Sequence, residues 1–171
     1  MKRKALIIFS VLIGLTLKTF AQKLEENKKD DFTNAAIKRT SWETLTSSLS
    51  ETAYFRISQV NGSETFDLKL MLYKIFYIGK DAELSFKLAN GEIVTLKNLE
   101  YAITCKGCGA AGYSGSAAEG IQVTYPMSSE QVEKLKANKI VKVRIDTSMG
   151  YVEDDIKDKR AEKLIKSLGL L

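Results

Sequence analysis

The segment Cys105-Lys106-Gly107-Cys108-Gly109 carries the most chemistry in this chain. Two thiols at this spacing close a local disulfide, exchange with other thiols or ligate a metal, and each option makes its own demand. Covalent haem attachment needs histidine after the second cysteine, where this chain has Gly109. A structural zinc centre takes four ligands. With no histidine and no third cysteine, only carboxylates or a second subunit complete that shell. Thioredoxin-like exchange wants the first cysteine at a helix N-terminus, where the helix dipole lowers the thiol pKa. The glycine-rich run after Cys108 does not nucleate a helix. The expectation is a structural Cys105–Cys108 disulfide, worth about 2 kcal/mol from chain entropy alone. No resident metal is expected.

Two further patterns dissolve on the same kind of test. Gly107-Cys108-Gly109-Ala110-Ala111-Gly112 spells the dinucleotide fingerprint. That fingerprint works only between a strand and a helix N-terminus, and Tyr113-Ser114-Gly115-Ser116 continues it as a loop. Gly112 to Ser116 lacks the final glycine of a nucleophile elbow. The absence of histidine excludes Ser-His-Asp and Cys-His catalysis and histidine general bases. No Ser-x-x-Lys spacing occurs, and no carboxylate pair stands out. Glu153-Asp154-Asp155 lacks the alternating oxygen ligands of a calcium loop and reads as a solvated first helical turn.

The sequence therefore offers no catalytic residue and no cofactor site. The expected function is an exported binding or interaction module. The alternative is an envelope enzyme using carboxylates or the Cys105/Cys108 pair. The stretch from Lys106 to Glu119 is either the ligand site or a merely mobile loop. As a site it would offer Tyr113 as a stacking face and Ser114 and Ser116 as hydrogen-bonding groups. The other aromatics (Trp42, Tyr54, Tyr73, Tyr77, Tyr101, Tyr125 and Tyr151) are assigned to core and cross-strand packing.

The compartment follows from the first 21 residues. Lys2, Arg3 and Lys4 precede an apolar run from Ala5 to Leu17. Thr19 and Ala21 place small residues at the −3 and −1 positions of a signal-peptide cleavage site, Ala21-Gln22. The run is shorter than the roughly 20 residues that span a bilayer. The first cysteine is Cys105, so no lipid-anchoring cysteine follows the leader. The expected product is soluble and periplasmic or secreted, with no membrane span and no lipid anchor. Lys2, Arg3, Lys4 and Lys18 leave with the leader, so 26 cations against 21 carboxylates become near balance. No basic excess remains for a nucleic-acid partner. The expected partner is a protein or glycan of the cell envelope.

The elements that position these residues read as antiparallel. Residues 22–39 are polar and charge-mixed and read as a mobile or weakly helical extension, with 40–171 as a single domain. Thr40 to Ser50 fits helix or strand equally. Tyr54–Val60, Thr65–Ile78, Glu83–Leu88 and Ile93–Cys105 read as a four-stranded meander, with Asn61-Gly62 and Asn90-Gly91 as hairpin turns. Ile121–Tyr125 and Ile140–Ile145 add two strands. Ser128 and Gln131 frame a capping box for a helix reaching Asn138. A final helix starts near Glu153 and ends near Gly169, with Ile156, Ala161, Leu164, Ile165 and Leu168 along its apolar stripe. The class is α+β with an antiparallel sheet of about six strands and two helices; a β-sandwich is the alternative.

With its exported leader, this layout resembles small exported proteins of Bacteroidota that have no assigned activity. The resemblance lies in Phe86-Lys87-Leu88-Ala89-Asn90-Gly91-Glu92, Tyr125-Pro126-Met127-Ser128 and Lys142-Val143-Arg144-Ile145. It implies a fold and carries over no catalytic residue. Intact mass of the exported form is expected to show Gln22 at its start. A membrane-bound species retaining Met1 to Ala21 would overturn both the cleavage and the destination.

Overall fold

The computed structural model describes residues 24–48, 51–72, 74–109 and 119–171. The Ala21-Gln22 junction and Tyr113, Ser114 and Ser116 lie outside the described residues.

The longer strands that build the core alternate, with apolar side chains on one face and polar ones on the other. Alternation of this kind buries one face of a sheet. Nine-residue strands β4 (Thr52–Val60) and β5 (Ser63–Met71) pair in register from Thr52↔Met71 to Val60↔Ser63. Asn61 (φ 50°) and Gly62 (φ 84°) turn between them, the positive dihedrals that a two-residue hairpin turn demands. β5 pairs on its far side with β11 (Glu119–Pro126), so Phe66 faces Tyr125 and Leu68 faces Val123. These residues, with Phe55 and Ile57, form the buried face of a seven-stranded sheet.

The antiparallel α+β class is as expected, but the meander is not. The second expected strand ends at Met71, and its tail Tyr77–Ile78 becomes β6 in another layer. β7 (Glu83–Leu88) and β8 (Ile93–Lys97) form their hairpin across Asn90-Gly91 and join β12 (Ile140–Thr147) and β13 (Gly150–Asp155) in a four-stranded sheet. The expected strand Ile93–Cys105 breaks after Lys97. Its remainder becomes β9 (Ala102–Ile103), paired with β6, and β10 (Cys105–Lys106), paired with Gly120 and Glu119. Strands of 14 residues (Thr65–Ile78) and 13 residues (Ile93–Cys105) overrun the usual 5–6, and splitting lets the chain cross from one sheet to the other.

The sheets face each other through aromatic contacts. Phe55 stacks on Phe66 at 5.8 Å, and Phe66 meets Phe86 of the four-stranded sheet edge-on at 5.3 Å. The β-sandwich element of the expectation is therefore present as two packed sheets. Helix α1 (Ser129–Ala137) starts at Ser128 with the expected capping box and buries Val132 and Leu135. Helix α2 (Asp158–Leu168) buries Ala161, Leu164 and Leu168 and touches both sheets.

Three local expectations are corrected. The 22–39 extension contains a hairpin, β1 (Leu24–Lys29) with β2 (Ala36–Thr40), fixed by the Asp30 side chain accepting from the Phe32 and Thr33 amides. Its charges line an exposed edge, which removes the hydrophobic signature of a strand. Part of the undecided Thr40–Ser50 stretch is β3 (Glu43–Ser47), which continues β2 along the same edge of β4. At the junction the Thr40 hydroxyl accepts the Ile57 amide at 2.9 Å. Glu153-Asp154-Asp155 is no helical turn but half of β13, and α2 begins at Asp158. Arg144, opposite Glu153, and Lys142, opposite Asp155, supply the cross-strand charge pairing that this acidic run needs.

The two ends of the segment that leaves at Gly109 and returns at Glu119 meet backbone to backbone. A Cβ at Gly120 would lie 2.4 Å from Gly109 Cα and 2.8 Å from the Leu70 carbonyl oxygen, whereas one at Gly79 would meet nothing within 4 Å. Gly120→Ala is expected to cost about 1–3 kcal/mol, as overpacking typically does. Gly79→Ala should stay within about 0.5 kcal/mol, the usual surface range. Thermal denaturation of both variants checks the contrast.

Candidate functional site

Cys105 and Cys108 are joined by a disulfide, with their Cα atoms 5.4 Å apart. Gly107 between them takes φ +83°, and the Cys108 amide donates to the Cys105 carbonyl at 3.2 Å. The bridge therefore ties off a tight turn where β10 leaves the edge of the seven-stranded sheet. The expected ligand loop departs from that point; its described root is this turn, and its three nominated residues are not described.

Leading into the disulfide, the β6–β9 ribbon presents an apolar surface. Period two places Phe76 and Ile78 inward, where both are buried, and leaves Ile75 and Tyr77 outside. On the partner strand Tyr101 and Ile103 face out, each more than half exposed. Tyr77 is the register partner of Ile103, and its ring lies 5.2 Å from that of Tyr101. Thr104 laces the ribbon: its hydroxyl donates to the Phe76 carbonyl at 2.7 Å and accepts the Phe76 amide at 2.9 Å. Ser148, in the β12–β13 turn, exchanges hydrogen bonds with the Tyr77 backbone, which fixes exposed Met149 close by.

Buried Asn98 shapes the approach. Its side-chain amide donates to the Glu100 carbonyl at 2.5 Å, and its backbone exchanges with Asp81 and Ala82. The chain thus bends so that Leu99 and Tyr101 project on either side of Glu100. Between this bend and the outer side of β11 lies a cleft of about 310 Å³, lined by Leu99, Glu100, Tyr101 and Ala102 opposite Gln122, Thr124 and Pro126.

A polar knot stiffens the sheet beneath the cleft. Asp67 on β5 is 4% exposed although it lies on the polar face. It accepts from Arg56 Nε at 2.8 Å, Ser58 Oγ at 2.6 Å and Thr124 Oγ1 at 2.8 Å. Arg56 and Thr124 are its register partners on the two flanking strands. The Trp42 ring packs against the Arg56 guanidinium at 4.7 Å and the Lys69 ammonium at 4.3 Å. Burial, then the neighbouring Arg56 charge, pulls the Lys69 pKa below its ordinary value. With its oxygens taken by hydrogen-bond donors, Asp67 is built for structure rather than proton transfer.

The opposite sheet offers a second shallow cleft, between Lys87, Ile93, Lys142 and Arg144. There Glu153 ion-pairs with both Lys142 and Arg144. The hydrogen bonds from these two residues hold its carboxyl below the usual range. Tyr151 lies under Arg144 at 5.1 Å.

The sequence assigns Tyr77, Tyr101 and Tyr151 to core or cross-strand packing; none of the three is in the core, and Tyr77 and Tyr101 pack on each other across the ribbon while staying exposed. Tyr125 does pack as expected: it is fully buried, and burial and then the charge of Asp146 push its hydroxyl pKa up. The missed signal was the length of the two overlong strands. Among the described residues no group of three or more metal-ligating side chains occurs, and no helix is long and apolar enough to cross a membrane. No protein-family model, curated protein or solved structure matches this chain.

Asp67→Ala is expected to destabilise the fold by about 3–5 kcal/mol, because it strands the half-buried Arg56 charge. The double variant Asp67→Ala/Arg56→Met should recover part of that loss. Urea denaturation of wild type, the single variant and the double variant measures both.

Proposed function

We propose that this chain is an exported, non-catalytic binding module that docks a protein of the cell envelope through the Tyr77–Tyr101 ribbon. One observation carries the reading: aromatic and aliphatic side chains project together beside a cleft on a strongly braced scaffold. Contiguous exposed apolar surface marks interaction sites, and tyrosine and methionine are enriched in interface cores. The company the tyrosines keep favours protein over glycan. A sugar site surrounds its stacking ring with groups that bond hydroxyls; at the ribbon's outer face Ile75, Ile103 and Met149 are aliphatic or thioether, and Glu100, Gln122 and Thr124 are confined to the cleft beside it. Support for export comes from the leader pattern and from a disulfide, the bond that oxidising compartments retain.

Affinity capture from native cell-envelope extract tests the reading. The wild-type chain is expected to retain a protein that Tyr77→Ala/Tyr101→Ala binds at least about tenfold more weakly, the weight of interface anchors. Retention should survive Cys105→Ser, since the disulfide has no chemical part in docking. Capture indifferent to the tyrosines but abolished by Cys105→Ser would replace docking with thiol exchange.

A further inference from the structure

We propose that the partner contributes an extended segment that adds as a new strand to the open edge of β11 between Gln122 and Pro126. This proposal rests on the protein-docking reading and specifies its mode.

The hydrogen-bond phase of β11 supports it. The Met127 amide donates to the Glu64 carbonyl at 3.0 Å, on the β5 side. Along a regular antiparallel ladder, alternate residues direct their main-chain groups to the same neighbour, and the β11–β5 register runs without a shift. Ile121, Val123 and Tyr125 therefore bond to β5. The N–H and C=O groups of Gln122 and Thr124, and the Pro126 carbonyl, point the other way. On that side β10 pairs only with Glu119 and Gly120. The next residues line the cleft, with Leu99 and Tyr101 across from them.

Other sheet edges in this molecule carry devices against pairing. On β8 the Thr95 carbonyl accepts Gln131 Nε2 at 2.8 Å. On β13 the Asp155 amide is taken by Asp154 Oδ1 at 2.8 Å. β1 is a run of charge, Glu25, Glu26, Lys28 and Lys29. Covered or charged edges are how proteins avoid unwanted strand addition. Among the described residues the 99–102 segment flanks β11 across the cleft without forming a ladder with Gln122 to Thr124, and Pro126 ends the pairing because it has no N–H. The span suits about four or five residues at roughly 3.3 Å each. The added strand would direct alternate apolar side chains at Leu99 and Tyr101. This is β-augmentation, in which backbone bonds hold the peptide and side-chain contacts select it.

The test uses the full mature chain with its disulfide intact. The probe is a capped seven-residue peptide alternating threonine with valine or isoleucine, followed by two-dimensional amide NMR. Saturable shifts at Gln122, Thr124 and Tyr101 are expected, with slower hydrogen exchange at the Gln122 and Thr124 amides. N-methylation of alternate peptide nitrogens should abolish binding. Gln122→Pro removes one cleft-facing N–H without touching the β5 ladder. It should weaken the peptide about five- to tenfold, the share of one backbone hydrogen bond. If that variant does not fold, amide exchange in the wild type decides alone.

Unchanged exchange at both amides at millimolar peptide would overturn the proposal, as would equal binding of the N-methylated peptide. A peptide-free dimer that protects the same amides would also overturn it, by giving the edge to a second copy. In each case the docking reading stands if capture still depends on Tyr77 and Tyr101. Peptide-dependent protection with tyrosine-independent capture would sink that reading and leave the edge site in place.

Discussion

Phe66 is where the two sheets become one structure. Its ring stacks on Phe55 within its own sheet and meets Phe86 of the other edge-on. Aromatic side chains of this size dominate core energetics, and their contacts exceed what area burial alone gives. Once that contact is made, parity fixes which side of each paired strand faces water. Residues two apart from Phe66 and Phe86 face inward and their neighbours face outward. A one-residue slip would carry Asp67 into the core and Phe66 into solvent. The Asp67 knot on the outer face reinforces the same register from the polar side. Arg56 and Thr124 lie directly opposite it on β4 and β11, and Ser58 two residues along β4, so it is satisfied in one alignment only.

The ribbon depends on this arrangement. Chain passing from β5 to β7, and again from β8 to β11, must cross between sheets. Both crossings are made by short segments, Ile75–Ile78 and Leu99–Cys105, that pair with each other rather than with either main sheet. Only one face of the resulting ribbon has a core to rest on. The other keeps Tyr77, Tyr101 and Ile103 in water. Among the described residues the crossing also leaves β11 without a full-length ladder partner on its outer side, because β10 is spent after two residues. The apolar ribbon and the open edge are thus two results of one topological requirement. The disulfide at Cys105–Cys108 marks where that chain turns away.

The parts legible in the sequence were those whose signals are local. Asn61-Gly62, Asn90-Gly91 and the Ser128–Gln131 capping box each specify their geometry within four residues, and each stands where expected. The class followed from counting hairpins. Misread segments are those whose conformation depends on a distant strand. Glu153 to Asp155 has the composition of a helix start, yet Lys142 and Arg144 draw it into a sheet. Leu24 to Lys29 has no apolar face, yet Ile37 to Arg39 hold it as an edge. Tertiary partners override weak local preference in both places.

The same distinction explains why the candidate site was harder to read than the fold. Buried strands are recognised because their apolar residues share one parity. Ile75-Phe76-Tyr77-Ile78 is apolar at both parities, which describes a strand covered on two faces as well as one covered on a single face. Sequence alone gives no count of layers, so it does not separate core from cross-strand packing for Tyr77 and Tyr101. The structure supplies one layer. Such a segment, apolar on both faces but covered on one, violates the rule that exposed strand faces are polar. Departures of that sort concentrate where function competes with folding. The ribbon shows that departure, whereas on the opposite sheet the charges of Lys142, Arg144 and Glu153 are paired.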